Sequence, residues 1–348
     1  MERGFIVTRQ LEKELAEAVS ACRPDRIFIL TDENTQAFCR PCLDSHHCMA
    51  DAKEIVVKAS DKHKNLDTLA QVWTALGNGR ATRHSLLVCL GGGMVSDLGG
   101  FAASTFKRGI PFIHIPTTLL AMVDASIGGK TGINFNGAKN EVGTFAMPFS
   151  TIVHPPFLRT LSARQLLEGY AEMLKHGLLS DRQAWSNLLT FDMHRPDVEI
   201  IGEMVENSLQ TKARIVTADP KERGIRKALN LGHTIGHGIE TWDIARTAMP
   251  HGFAVAHGLV GALYLSVVLQ GFPTENMRQT VAFIREHYGR PAFTCNDYET
   301  LIALMKRDKK NSGDEIRMVL LSDIGKPITD VTVDEKNICE ALDFIREG

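Results

Sequence analysis

Five short runs of apolar, largely β-branched residues mark the first part of the chain: RIFIL (26–30), EIVVKA (54–59), SLLVCL (85–90), PFIHIP (111–116) and STIVHP (150–155). They are continuous rather than alternating, and Gly, Pro or Asp residues flank them, as expected for strands buried on both faces. Helical periodicity between the runs predicts βαβ units and therefore a parallel sheet. After about residue 156 the pattern changes. Stretches such as SARQLLEGYAEMLKHGLLS, IIGEMVENSLQTKARIV and GFAVAHGLVGALYLSVVL are helical in period, and only IRMVLLS (316–322) reads as a strand. The chain is thus expected to hold an α/β N-terminal domain over residues 1–155 and a mostly α-helical domain over 156–348, joined at HPPFL.

The 348 residues suffice for two such domains, and a net charge of −2 provides no overall field for nucleic acid or an anionic membrane. No run reaches the 18 or so uninterrupted apolar residues of a membrane span. The N-terminal MERGFIVTRQ has no signal-peptide core, and seven cysteines, an odd number, suit reduced thiols in the cytoplasm. Cys39, Cys42, His46, His47 and Cys48 resemble half of a zinc signature, but no second ligand pair follows, so they are read as incidental.

Two stretches of the α/β half carry chemistry. CLGGGMVSDLGG places Gly91, Gly92 and Gly93 directly after a strand, where a tight turn and a helix N-terminus can approach a pyrophosphate. The sheet is Rossmann-like, but the loop lacks the GxGxxG fingerprint. Asp32 and Asn34, just after the first run, stand where a ribose or adenine contact is expected. IPTTLLAMVDASIGGKTGINFNGAKN gathers Thr117, Thr118, Asp124, Lys130, Lys139 and Asn140. Its end reads either as a solvated hairpin or as part of a site. The local concentration of cations in a chain without basic bias favours the site.

In the helical half, Glu168, Glu172 and Lys175 share one helix face, and Glu222, Arg226 and Asn230 follow at four-residue spacing. His233 and His237 are also four apart, the spacing of a zinc-peptidase helix. Thr234 stands where such a helix has its general-base Glu, so peptide hydrolysis is excluded. Glu172, His233 and His251 on three helices match a catalytic zinc site with an open position, which leaves His237 for proton transfer.

In order, GGGMVSD, STFKRG, PTTLLAMVDASIGGKTGIN, GAKN, GYAEMLKHG, LNLGHTIGHGIE, HGFAVAHG and DKKN resemble the 3-dehydroquinate synthase family of sugar-phosphate cyclases, over about residues 26–325. The resemblance implies NAD, a divalent metal (Zn or Co), a homodimer and conversion of 3-deoxy-D-arabino-heptulosonate 7-phosphate to 3-dehydroquinate. It assigns the metal to Glu172, His233 and His251. It assigns NAD to Asp32, Asn34, Asp61, Lys64, the loop Gly92, Gly93, Met94, Val95, Ser96 and Asp97, then Thr117, Thr118, Asp124, Lys139 and the turn Phe157, Leu158, Arg159 and Thr160. It assigns the substrate to Lys130, Asn140, Lys212, Asn230 and Lys309, with Arg108 reaching across from the partner subunit. Glu222, His237, Lys175 and Arg226 become the catalytic groups. Three positions depart from the family's usual residues: Asp61 for Glu, His154 for Asp, and Phe253 for a Glu expected to hydrogen-bond near His251. On the residues alone a metal-dependent polyol dehydrogenase, a related cyclase for another sugar phosphate and a non-catalytic binding module stay open. The converging cations and the full set of titrating groups weigh against the first and last.

Overall fold

The computed structural model describes residues 4–307 and 315–348. Lys309 lies outside the described residues. All five apolar runs form strands, and they align in one six-stranded parallel sheet. Its order is Phe5–Val7, Ser150–Val153, Phe112–Pro116, Leu86–Gly91, Ile27–Asp32 and Lys53–Val57. Every residue of Leu86–Gly91 and Phe112–Pro116 is buried, which is why those sequences are continuous rather than alternating. The outer strand Lys53–Val57 exposes Lys53, Glu54 and Val56 and is correspondingly more polar. Phe5–Val7 escaped the sequence reading because three residues carry too little pattern; its register, Phe5 on Thr151, is a tertiary choice.

Helices Leu66–Asn78 and Gly93–Thr105 supply much of the core, with Leu69, Val72, Leu76, Leu98 and Phe101 packing on Phe28, Leu30, Leu87 and Cys89. The chain runs outward from Ile27–Asp32 to Lys53–Val57 and then returns to its other side with Leu86–Gly91. The carboxyl ends of these two strands, at Asp32 and Gly91, therefore flank the point where strand order reverses, where parallel sheets bind ligands.

The ambiguous GINFNGAKN is an antiparallel hairpin, Lys130–Phe135 on Ala138–Phe145. Asn136 and Gly137 occupy its turn with φ of 49° and 80°, the left-handed pair that an Asn-Gly hairpin turn uses.

Chain contacts divide the protein into a first unit that runs to Leu166 and includes Asp197–Leu209, and a second made of Leu167–Pro196 and Gln210 onward. The second is mainly helical, and IRMVLLS is its strand Ile316–Asp323, paired with Lys326–Val333. The helix His251–Gln270 is long and apolar enough by composition to cross a membrane, yet 72% of that window is buried within the protein. It is the core helix on which the second unit is built.

Candidate active site

Three helices of the second unit meet at unusually short range, and glycines permit it. A methyl group at residue 258 would stand 1.9 Å from the carbonyl oxygen of Gly232, and one at residue 252 would stand 2.1 Å from that of Glu168. The helix His251–Gln270 thus lies backbone-to-backbone against the start of His233–Asp243 and against Ala163–Leu179. Their side chains converge as a result.

Glu172 is wholly buried, with its Oε1 3.4 Å from His233 Nε2 and 3.7 Å from His251 Nε2. In a tetrahedral zinc site with bonds of about 2.0–2.1 Å, neighbouring ligand atoms lie roughly 3.3 Å apart, so the spacing fits. Both imidazoles are held by their far nitrogens. His233 Nδ1 contacts the Leu231 carbonyl at 3.1 Å, and His251 Nδ1 contacts Glu240 Oε2 at 3.1 Å. That arrangement leaves Nε2 facing Glu172 in each case, as in metal-ligating histidines. His237 is one turn beyond His233, and its ring centroid lies 5.2 Å from that of His233 and 5.8 Å from that of His251. Ring nitrogens of the three histidines all fall within 4.8 Å of one another.

Lys175 ion-pairs with Glu172 in the same buried spot. Burial would raise the Glu172 carboxyl, but Lys175 and His233 hold it well below the usual carboxylate range. Burial, reinforced by Lys175, lowers His233 to about 3. For His251 burial acts in the same direction, but hydrogen bonds to Glu172 and Glu240 raise it to about 10.

The remaining groups expected in this unit are also buried or hydrogen-bonded. Lys212 and Arg226 are 5% and 2% exposed. Arg226 Nη1 donates to the Pro220 carbonyl at 2.7 Å, and Asn230 Nδ2 donates to Glu222 Oε1 at 2.8 Å. Glu222 holds a left-handed backbone, φ 57°.

In the first unit, Gly92 caps the helix Gly93–Thr105 at the end of Leu86–Gly91, so Met94, Val95, Ser96 and Asp97 form that helix's opening turn. A methyl group on Gly92 would meet Thr118 Cγ2 at 3.1 Å. The turn is therefore pressed against the segment that carries Thr117 and Thr118, as a cofactor cradle requires. Asp32 caps Glu33–Phe38, accepting the Thr35 amide at 2.8 Å, and Asn34 is exposed on that short helix. Phe157 and Leu158 are buried, whereas exposed Arg159 pairs with Glu199.

Lys64 organises a second cluster in this unit. Its ammonium donates to Asp97 at 2.9 Å and Asn140 at 2.7 Å, and lies 3.3 Å from Asp61. Lys139 stands 3.9 Å from Asp61. Asn134 ties the cluster together: its amide donates to Asp61 Oδ2 at 3.0 Å, and its Oδ1 accepts the Asn140 amide at 3.0 Å. Sequence reasoning passed over Asn134, which looked like one more hairpin residue, and Glu240, whose partner lies on another helix.

The departures have local explanations. Asp61 reaches its partners despite its shorter side chain. His154 Nδ1 contacts the Thr8 carbonyl at 3.0 Å, tying the outermost strand's end to the sheet. Phe253 packs edge-on against Tyr288, with centroids 5.1 Å apart. Phe253 has no side-chain acceptor for His251, whose Nδ1 contacts Glu240.

A glycine turn at the reversal point of a parallel sheet, with a carboxylate–histidine cluster on helices, defines a nucleotide-and-metal type of enzyme fold. Residues 54–168 match the family model of the 3-dehydroquinate synthase N-terminal region, and residues 169–311 match that of its C-terminal region. The chain belongs to the 3-dehydroquinate synthase family. It is 47% identical over 348 residues to the 3-dehydroquinate synthase of Parabacteroides distasonis, covering 100% of this chain and 99% of that one. Identity to the Pyrococcus furiosus 3-dehydroquinate synthase is 39% over 94% of this chain and 95% of the other. Among solved structures, 2-epi-5-epi-valiolone synthase from Streptomyces hygroscopicus, with NAD+ and Zn2+ bound, superposes with a TM-score of 0.85 at 26% identity, covering 97% of this chain and 95% of that one.

Proposed function

We propose that this enzyme is a phosphate-eliminating lyase that converts 3-deoxy-D-arabino-heptulosonate 7-phosphate to 3-dehydroquinate and phosphate. The observation that carries the reading is the burial of three cations, Lys175, Lys212 and Arg226, in the unit that holds the Glu172, His233 and His251 cluster. A neutral polyol needs no such charge, whereas a substrate with a phosphate and a carboxylate does.

Glu172, His233 and His251 would hold Zn2+ or Co2+, and the Gly92–Asp97 turn with Asp32, Asn34, Asp61, Lys64, Thr117, Thr118, Asp124 and Lys139 would hold NAD. When bound, the nicotinamide supplies reversible hydride acceptance and the metal supplies Lewis acidity at the oxidised carbinol. That chemistry would allow transient oxidation of the carbinol, then loss of the proton from the acidified adjacent C–H with phosphate as leaving group. Return of the hydride to the ketone, opening of the hemiketal ring and aldol closure of the open chain would follow. Net redox is zero. Lys175, Lys212 and Arg226 balance the substrate's anions, with Lys130, Asn140 and Lys309 as further contacts. Asn230 fixes Glu222 by its amide hydrogen bond, and the carboxylate serves in proton transfer. His237, one turn from His233, moves protons through its ring nitrogens.

The working form is a cytoplasmic homodimer, with Arg108 contributed across the interface. Seven free cysteines suit a reducing compartment. Lys107, Arg108 and Gly109 hold three successive positive φ angles, 51°, 69° and 114°, a strained turn that presents exposed Arg108 outward.

The test is phosphate release from the heptulosonate phosphate by the metal-loaded protein with catalytic NAD+. Stoichiometric phosphate without net NADH is expected. No phosphate, or NADH accumulating in step with product, would overturn the proposal, the latter in favour of a polyol dehydrogenase.

A further inference from the structure

We infer that Glu240 is the positioning residue that fixes His251 as a metal ligand, an inference that rests on reading Glu172, His233 and His251 as the metal centre. Glu240 follows His233 by seven residues, two turns along the same helix face, so one helix presents both a ligand and the support for a ligand on its neighbour. The carboxylate is 6% exposed, and its Oε2 lies 3.1 Å from His251 Nδ1. With Nδ1 engaged by Glu240, Nε2 is the ring nitrogen that faces Glu172 Oε1, 3.7 Å away, and is the atom left for a metal. The two histidines are thus held differently: His233 by the neutral Leu231 carbonyl and His251 by a charged carboxylate. A carboxylate partner increases the basicity of the imidazole and opposes the positive charge of an incoming cation, which a carbonyl does only weakly. Phe253, in the first turn of the His251 helix, has no side-chain acceptor and packs on Tyr288 instead.

The full-length protein is stripped with a chelator and titrated with Zn2+ against a competing chromophoric chelator. Glu240→Gln is isosteric and keeps an oxygen acceptor but loses the charge; it should bind Zn2+ roughly 10-fold more weakly, and Glu240→Ala up to about 100-fold. The metal-free melting temperature of Glu240→Gln should fall somewhat, because the charge beside His251 is lost, and the further rise on adding Zn2+ should shrink. A merely structural carboxylate would lower the metal-free value but leave Zn2+ affinity alone. Should Glu240→Ala fail to fold, Glu240→Gln carries the test by itself. His251→Ala separates the two levels of the argument. If it binds Zn2+ as tightly as wild type, the metal centre itself is misassigned and the inference falls with it. If it loses Zn2+ while Glu240→Gln retains wild-type affinity, the centre stands and only the role of Glu240 is overturned.

Discussion

Replacing Gly258 by Ala tests whether the close approach of helices builds the site. The added methyl carbon would lie 1.9 Å from the Gly232 carbonyl oxygen and 2.7 Å from the Gly236 amide nitrogen. The shortest ordinary C–H···O contacts between helices are about 3.3 Å, so the two backbones must part by roughly 1.4 Å. Both obstructing atoms are main chain and cannot rotate away. Overpacking of this kind costs about 1–3 kcal/mol, and a rigid backbone obstruction belongs at the upper end. For a unit of this size, about 3 kcal/mol lowers the melting temperature by roughly 6–12 °C. The consequence for chemistry is larger. Gly232 directly precedes His233, and His251 lies two turns before residue 258, so the separation is delivered to the two histidines proposed as ligands. Metal sites tolerate about 0.2 Å, and a 1 Å misplacement costs on the order of 100-fold. Zn2+ affinity by chelator competition and the metal-free melting temperature should therefore both fall. Gly77→Ala, where a methyl group meets nothing within 4 Å, should leave both unchanged or add up to about 1 kcal/mol of stability. A Gly258→Ala protein with wild-type melting and wild-type Zn2+ affinity would refute the idea that backbone contact sets the ligand spacing.

Metal analysis after purification should find His251→Ala depleted of metal and His237→Ala still loaded; equal depletion of both would reverse the assigned roles. Arg108→Ala should lose about two to three decades of kcat/KM, the value of a bidentate guanidinium on phosphate. Mixing it with inactive Lys175→Ala should regenerate about a quarter of wild-type activity, because about half the dimers are mixed and each has one intact site. If subunits exchange and no activity returns, Arg108 does not act in trans. Burial would raise the Asp61 carboxyl, but Lys64, Lys139 and Asn134 hold it below its ordinary value. Its folded-state pKa is thus lower than the unfolded one, so its contribution is full above about pH 4 and is lost as pH falls further. Asp61→Asn should accordingly lower the urea midpoint at pH 7, with the difference narrowing at pH 3; a gap that widens on acidification would contradict that sign.

The division of the chain into a parallel-sheet half and a helical half was legible because hydrophobic period is a local property. A strand covered on both faces must be apolar throughout, as Leu86–Gly91 is, whatever its neighbours are. The candidate residues were visible in one dimension too, as carboxylates, imidazoles and lysines among glycines. The sequence also showed the glycines at 232, 236, 252 and 258, but not their purpose. That purpose is a distance between backbones of different helices, which no spacing along one chain segment encodes. The same limit hid the pairing of Glu240 with His251, the network that Asn134 closes around Lys64, and the strand Phe5–Val7, whose partner lies almost 150 residues away. Local pattern determined which elements form and which side chains they offer. Packing alone decided which of those side chains meet, because contact free energy depends on separations in space that the order of residues constrains only within a turn or two.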